Sequence, residues 1–257
     1  MAEPYRLLGP DGRPIERTAL TSEQAIASVT GIQHQFEATV ASGLQPARLA
    51  RTLRDAASGE MYGFLTLAEE IEEREPHYRY VLETRKNGIT SLNVQVDPAS
   101  ESPRDVEIAD FLRNQLIDAP AFQQVMDMLM DGLSKGYSVV ELVWEVGSLW
   151  MPRQFIWRDP RLFQFDQGTR SQFRLRVRGE PDGRLLEPLK YLTHVPLLKM
   201  GLPARNGLAR VAAWSFMFKS FSMRDWAQFL EIYGMPMRLG KYGPGSSIDD
   251  RAVLLAA

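Results

Sequence analysis

The 257 residues carry 30 lysines and arginines against 32 aspartates and glutamates, a formal net charge of -2. A protein that grips a duplex by neutralising phosphates is usually basic, so tight sequence-reading DNA binding is disfavoured, though not a body that surrounds DNA and lets it slide. The absence of cysteine excludes disulfides and thiolate metal sites and suits synthesis in a reducing cytoplasm; no signal peptide is seen and no apolar stretch reaches the roughly 18–20 residues of a membrane helix.

Residues 1–57 have the composition of an arm. Gly9-Pro10-Asp11-Gly12 is a turn signal, and weak helical patches at 22–29 and 44–56 need a larger body, or a neighbouring subunit, to lie against. From 61 to 75 the pattern is an amphipathic helix with an acidic face of Glu69, Glu70, Glu72, Glu73 and Glu75, stopped or kinked at Pro76. A short helix is predicted over about 77–86. In 89–96, Leu92, Val94 and Val96 alternate with Asn93 and Gln95, the period of a half-buried strand, ended by Asp97-Pro98. Ser102 and Pro103 supply an N-cap and a first helical residue for a helix to about 117. Another runs over 120–135, with Phe122, Val125, Met126, Leu129 and Leu133 on one face and Gly136 closing it. Strands follow at 137–146 and 149–158 around a Gly147-Ser148 hairpin turn. Others are predicted at 163–165, 172–178 and 191–195, with a turn at Pro181-Asp182-Gly183. The fold class is α+β, helices with a mixed or antiparallel sheet.

The last long element is the most informative. Asn206 is placed to cap a helix over 207–233, with Gly234 ending it and Pro236 preventing continuation. At 1.5 Å per residue it spans roughly 39 Å. Trp214, Phe218, Phe221, Phe229 and Ile232 fall on one side of it; Phe216, Met223, Trp226 and Leu230 fall on another. A narrow, mostly polar stripe holds Arg210, Ser220, Arg224, Gln228 and Glu231, with Ala213 and Met217 filling it. A helix apolar on most of its circumference must be enclosed by neighbours. One short chain has few elements left to do so, which suggests packing between copies, the polar stripe facing a water-filled space.

Catalytic signatures are missing, and no enzyme activity, cofactor or metal is expected. The glycine-rich stretch Gly240-Lys241-Tyr242-Gly243-Pro244-Gly245-Ser246-Ser247 lacks the Gly-Lys-[Ser/Thr] end of a phosphate-binding loop and reads as a connection before a helix capped by Ser246 or Ser247. His34, His77 and His194 have no ligand-like spacing. The acidic run at 69–75 reads as the solvated side of a helix rather than an acid-base cluster. Arg174, Arg176 and Arg178 share one face of a strand and read as a solvated sheet face, with phosphate contact as the alternative.

Several segments together resemble the Mu-like tailed-phage portal family. They are Phe-Leu-Thr-Leu-Ala-Glu-Glu-Ile-Glu-Glu-Arg-Glu-Pro-His at 64–77, Val-Leu-Glu-Thr-Arg-Lys at 81–86 and the stretch 92–100. To these are added Lys-Gly-Tyr-Ser-Val-Val-Glu-Leu-Val-Trp-Glu at 135–145 and the stretch 218–241, around Arg-Asp-Trp-Ala-Gln-Phe-Leu-Glu-Ile-Tyr-Gly-Met-Pro. The resemblance runs collinearly through most of 58–257. It implies a dodecameric ring at a capsid vertex of the virion, assembled in the host cytoplasm, through which DNA is packaged and ejected. It also implies named parts: an N-terminal arm (1–57), a wing (58–206), a first stem helix (207–234) and the start of a clip (235–257), with further elements expected downstream. The implied partners are other copies of the chain, the major capsid protein, the terminase large subunit, head-completion or connector proteins, and double-stranded DNA held without sequence preference.

On this reading Trp214, Phe218, Phe221, Trp226 and Phe229 pack between subunits. Arg210, Ser220, Arg224, Gln228 and Glu231 line the channel, and Arg238 and Lys241 lie on the clip side that meets terminase. Two other classes stay open on the sequence alone: a monomeric DNA-binding module, and a fragment of a DNA-processing enzyme.

Overall fold

A tight turn at residues 9–12, closed by a bridge between Leu8 and Pro14, precedes the short helix α1 (Arg17–Thr21). The computed structural model describes residues 7–26, 40–41, 43–147, 149–234, 241 and 243–256. They fall into two units, Met1–Met217 and Phe218–Ala257. In the first, α2 (Pro46–Ala57), α3 (Tyr62–Arg74), α4 (Pro76–Thr90), α5 (Pro103–Leu112), α6 (Pro120–Met130) and the single turn α7 (Gly132–Lys135) follow in order. Four of these open on proline, whose missing N–H has no intrahelical partner at that position. The Ser102 hydroxyl accepts the Asp105 amide at the start of α5, as an N-cap should, and a π-helical turn at Arg113–Ile117 continues that helix.

The polypeptide then builds two antiparallel three-stranded sheets. β1 (Ser138–Val146) lies between β2 (Trp150–Arg158) and β6 (Tyr191–His194); β3 (Phe163–Phe165), β4 (Phe173–Val177) and β5 (Glu180–Leu185) pair in sequence order. Tyr137 joins the sheets. Fully buried, it sets its ring 5.3 Å from that of Phe165 and 5.0 Å from that of Phe173, and its hydroxyl donates to the Pro160 carbonyl. Burial drives its pKa far above the ordinary phenol value. A helical core of Leu82, Met130 and Leu133 is flanked by Tyr78, Leu129 and Leu208.

Two buried carboxylates fasten the N-terminal segment to this body. Glu141, in the middle of β1, accepts the main-chain amides of Gln24 and Ala25 and pairs with Arg158 and Lys190. Lys190, also buried, donates to the carbonyls of Leu20, Ser22 and Leu142. Burial lowers its pKa, with Glu141 opposing. Glu70 in turn accepts the amides of Val40 and Ala41. The arm segments therefore lie against this unit, with α1 packed on β1 and α2 on α3.

The structure corrects several sequence expectations. Helix within 22–29 is absent at 22–26, where α1 has already ended, and 27–29 lie outside the described residues. The acidic run of α3 is a solvated face only at Glu73. Glu70 is buried, Glu69 pairs with Lys135 and Arg161, and burial raises the Glu72 pKa. The alternating stretch 89–96 is no strand: α4 extends to Thr90 and the rest finds no strand partner among the described residues. The turn before β5 falls at Arg178-Gly179, with Gly179 at φ +86, and Pro181-Asp182-Gly183 lies inside the strand. The face carrying Arg174 and Arg176 is neutralised by Asp182 and Glu60. His194 is a structural residue, its Nδ1 within 2.8 Å of the Leu129 carbonyl.

Candidate assembly surface

No proline or glycine interrupts residues 209–233, and α8 (Ala209–Tyr233) fills that span with 25 residues, about 37 Å at 1.5 Å per residue. Its start is fixed by close main-chain contact. The Leu208 amide donates to the Leu133 carbonyl, and a Cβ on Gly207 would lie 2.4 Å from the Ser134 carbonyl oxygen. Gly136, at φ +95, closes α7 on the other side of this contact. Asn206 is not the cap of α8 that its sequence position suggests. It is buried, helical in its own backbone, and its side-chain oxygen accepts the Lys199 amide.

In the first unit, α8 buries Ala209, Ala213, Phe216 and Met217 and leaves Val211 and Trp214 exposed. Ala213 and Met217 sit on the stripe anticipated as polar, so over these turns that stripe is a packing face. Arg210, on the same stripe, is half-buried: one guanidinium nitrogen donates to the Leu53 carbonyl and the other, buried, has no hydrogen-bond partner. Burial, with nearby Arg205, lowers its pKa.

In the second unit the exposed apolar surface is dense. Phe218, Met223, Trp226 (59% exposed), Phe229, Leu230, Ile232 and Tyr233 are all open to solvent, and Phe221 is partly so. Phe229 and Tyr233, one turn apart, stack at 5.1 Å. Ser220, Arg224, Gln228 and Glu231 are exposed on the polar stripe. Arg224 lies over the Phe221 ring and pairs with Asp225 at 3.0 Å. Gly234 accommodates the helix end, where its amide donates to the Leu230 carbonyl. Ser247 caps α9 (Ile248–Ala256) by accepting the Asp250 amide. Lys241 is exposed, and Arg238 lies outside the described residues.

Elsewhere, a polar cavity of about 420 Å³ is lined by Glu60, Gln164, Asp166, Arg170 and Arg176 among others. Its carboxylates are engaged: Glu60 by Arg176, and Asp166 by the amides of Thr169, Ser171 and Gln172, which hold its pKa below the usual carboxylate range. Among the described residues, no group of three or more potential ligands is placed to hold a metal ion, and no helix is long and apolar enough to cross a membrane.

Comparison with known proteins gives this surface its context. The family model described as the portal protein of Mu bacteriophage matches residues 65–257. The chain belongs to the Mu portal family. It is 35% identical over 256 residues to the Mu-like prophage FluMu protein gp29 of Haemophilus influenzae, covering 98% of this chain and 49% of that protein. It is 37% identical over 218 residues to the portal protein of Escherichia phage Mu, covering 84% of this chain and 42% of that one. The chain thus spans about half the length of the curated relatives it matches.

The 135–145 segment that carried part of the resemblance is a packing hub. Lys135 is buried between Asp131 and Glu69, which hold its pKa up against burial; Gly136, Tyr137, Ser138 and Glu141 are all engaged internally. Residue-by-residue reading of the sequence missed the clamps at Glu141 and Lys190. A charged residue inside an otherwise apolar strand was the available signal for Glu141; Lys190 carried none.

Proposed function

We propose that this chain assembles into a dodecameric ring at a capsid vertex, a conduit for DNA during packaging and ejection, with α8 as the stem helix of its wall. The observation that carries this reading is the exposed aromatic surface of α8 in a member of the Mu portal family. Trp214, Phe218, Phe221, Trp226 and Phe229 pack against neighbouring copies. Burying each contributes about 1.5–3 kcal/mol, so a set of five is on the scale of the roughly 4–15 kcal/mol that association costs.

The channel stripe is Ser220, Arg224, Gln228 and Glu231; Arg210 is engaged by α2 instead. Mixed charge suits a conduit, because a uniformly basic wall would release counterions from the DNA and hold it fast. Residues 58–206 form the wing and the segment from 235 begins the clip, where Arg238 and Lys241 face terminase and later the head-completion proteins. The ring meets the major capsid protein at the vertex and is assembled in the host cytoplasm.

Single cysteines at Arg224 and Trp226 test the facing. In the assembled ring a thiol-reactive dye reaches Arg224→Cys from the channel and leaves Trp226→Cys protected. The reverse order of labelling overturns the assignment.

A further inference from the structure

The segment that failed to form a strand is the starting point. Leu92, Val94 and Val96 alternate with Asn93 and Gln95, yet the segment lies outside every sheet and Leu92 is 67% exposed. Its main-chain groups are not all idle. The Leu92 amide donates to the Ile89 carbonyl, and the Val96 carbonyl accepts two bonds from Arg113, one of them at 2.8 Å. In an extended chain, alternate residues turn their N–H and C=O to the same side. When residues 93–97 run as a strand, the side carrying Val96 is the one committed to this chain, through Arg113, and the side carrying Asn93 and Gln95 is the one left for a partner. Among the described residues no hydrogen bond engages the main chain of Asn93 or Gln95.

The sheet holds a matching vacancy. Among the described residues β2 is an edge strand, paired only with β1, and it contains Pro152, a residue tolerated at edges. The Leu142 amide donates to the Lys190 carbonyl on the β6 side. Its cross-strand neighbour on β2, Phe155, therefore turns its main-chain groups away from β1, and so does Trp157 opposite Val140. Two outward rungs stand two residues apart on each element.

We propose that residues 92–97 of one copy pair antiparallel with the free edge of β2 in the adjacent copy, extending the β2-β1-β6 sheet across the subunit boundary. The register follows from the parity and the charges. Gln95 lies opposite Phe155 and Asn93 opposite Trp157, which brings the exposed Asp97 against the exposed Arg153 at the β-bulge and sets Val94 beside Ile156. Opposite charges and apolar pairs facing each other across strands each contribute roughly 0.2–1 kcal/mol.

A second copy is the occupant because each chain carries both halves, a donor segment and an acceptor edge, and does not pair the two with each other. A contact of that head-to-tail kind generates a closed ring when the rotation closes. The inference rests on the ring reading above and adds an interface separate from α8.

Cysteine pairing tests it, since these 257 residues contain no cysteine. Val94 and Ile156 form a non-hydrogen-bonded pair in this register, with Cα atoms about 4.5 Å apart, within the roughly 4.4–6.8 Å that a disulfide spans. Oxidising the assembled Val94→Cys, Ile156→Cys protein gives a non-reducing gel ladder at multiples of the subunit mass, while each single variant stays at the subunit mass. Rings in the microscope with no ladder, or a disulfide confined within one subunit, overturn the pairing and leave the ring reading standing. An unmodified protein that forms no rings overturns the ring reading, and this pairing with it. In an independent measurement, Gln95→Pro, which removes one outward amide, weakens assembly in sedimentation whereas Gln95→Ala does not. Equal assembly by both also overturns the pairing.

Discussion

Replacing Glu141 by alanine removes the acceptor at the centre of the N-terminal clamp. Both Glu141 and Lys190 have fully buried side chains, and Arg158 is mostly buried beside them. Breaking a buried ion pair from one side costs about 3–5 kcal/mol, because the remaining charge has no counter-ion. The amides of Gln24 and Ala25 lose their acceptor as well, which works in the same direction. At the ~2–4 °C per kcal/mol typical of a domain this size, the melting temperature falls by roughly 6–20 °C. Urea unfolding followed by tryptophan fluorescence reads the loss, and limited proteolysis reads the release of the 20–25 segment. Glu141→Leu combined with Lys190→Met recovers part of the stability, since an apolar pair of similar volume replaces a buried ion pair at little cost. A loss below about 1 kcal/mol for Glu141→Ala, the worth of an exposed pair, would refute the clamp.

Gly207→Ala places a methyl group against the Ser134 carbonyl oxygen and destabilises by about 1–3 kcal/mol as an overpacked contact, measured by the same unfolding curves. Glu72 has a pKa raised by burial above its ordinary 4.5, so its ionised form is the costlier one in the folded state. Its contribution is complete below pH 4.5 and is lost as pH rises through the folded value. Glu72→Gln therefore stabilises at neutral pH, and a melting series shows the gain vanishing below pH 4.5. Ser102→Ala removes the cap of α5 and costs about 1 kcal/mol, a difference visible in the unfolding midpoint. Trp226→Asp leaves the melting temperature of the first unit unchanged and shifts sedimentation from assembled to single subunits.

Much of the fold was legible because local signals and tertiary structure agree. Pro103 after Ser102, Gly136 after α7 and the Gly147 turn each have a physical role that the sequence displays directly. Disagreements arise where a distant partner decides. The glutamates of α3 look solvated by spacing alone, but Lys135 and Arg161 come from segments more than sixty residues away and draw Glu69 in. Asn206 has a capping residue's chemistry and is taken instead by Lys199. The alternation at 92–96 is a sound strand pattern without a strand partner among the described residues of its own chain. Of the assembly surface, the aromatic faces of α8 were visible in its periodicity; that its polar stripe becomes a packing face at Ala213 and Met217 was not, because only the folded body supplies what covers them.

Electron microscopy of the purified protein tests the central claim most directly. The account predicts rings with a central hole, subunits repeating around it, and loss of those rings in Trp226→Asp. Uniform single subunits, folded and stable at concentrations where portal rings would assemble, would contradict it.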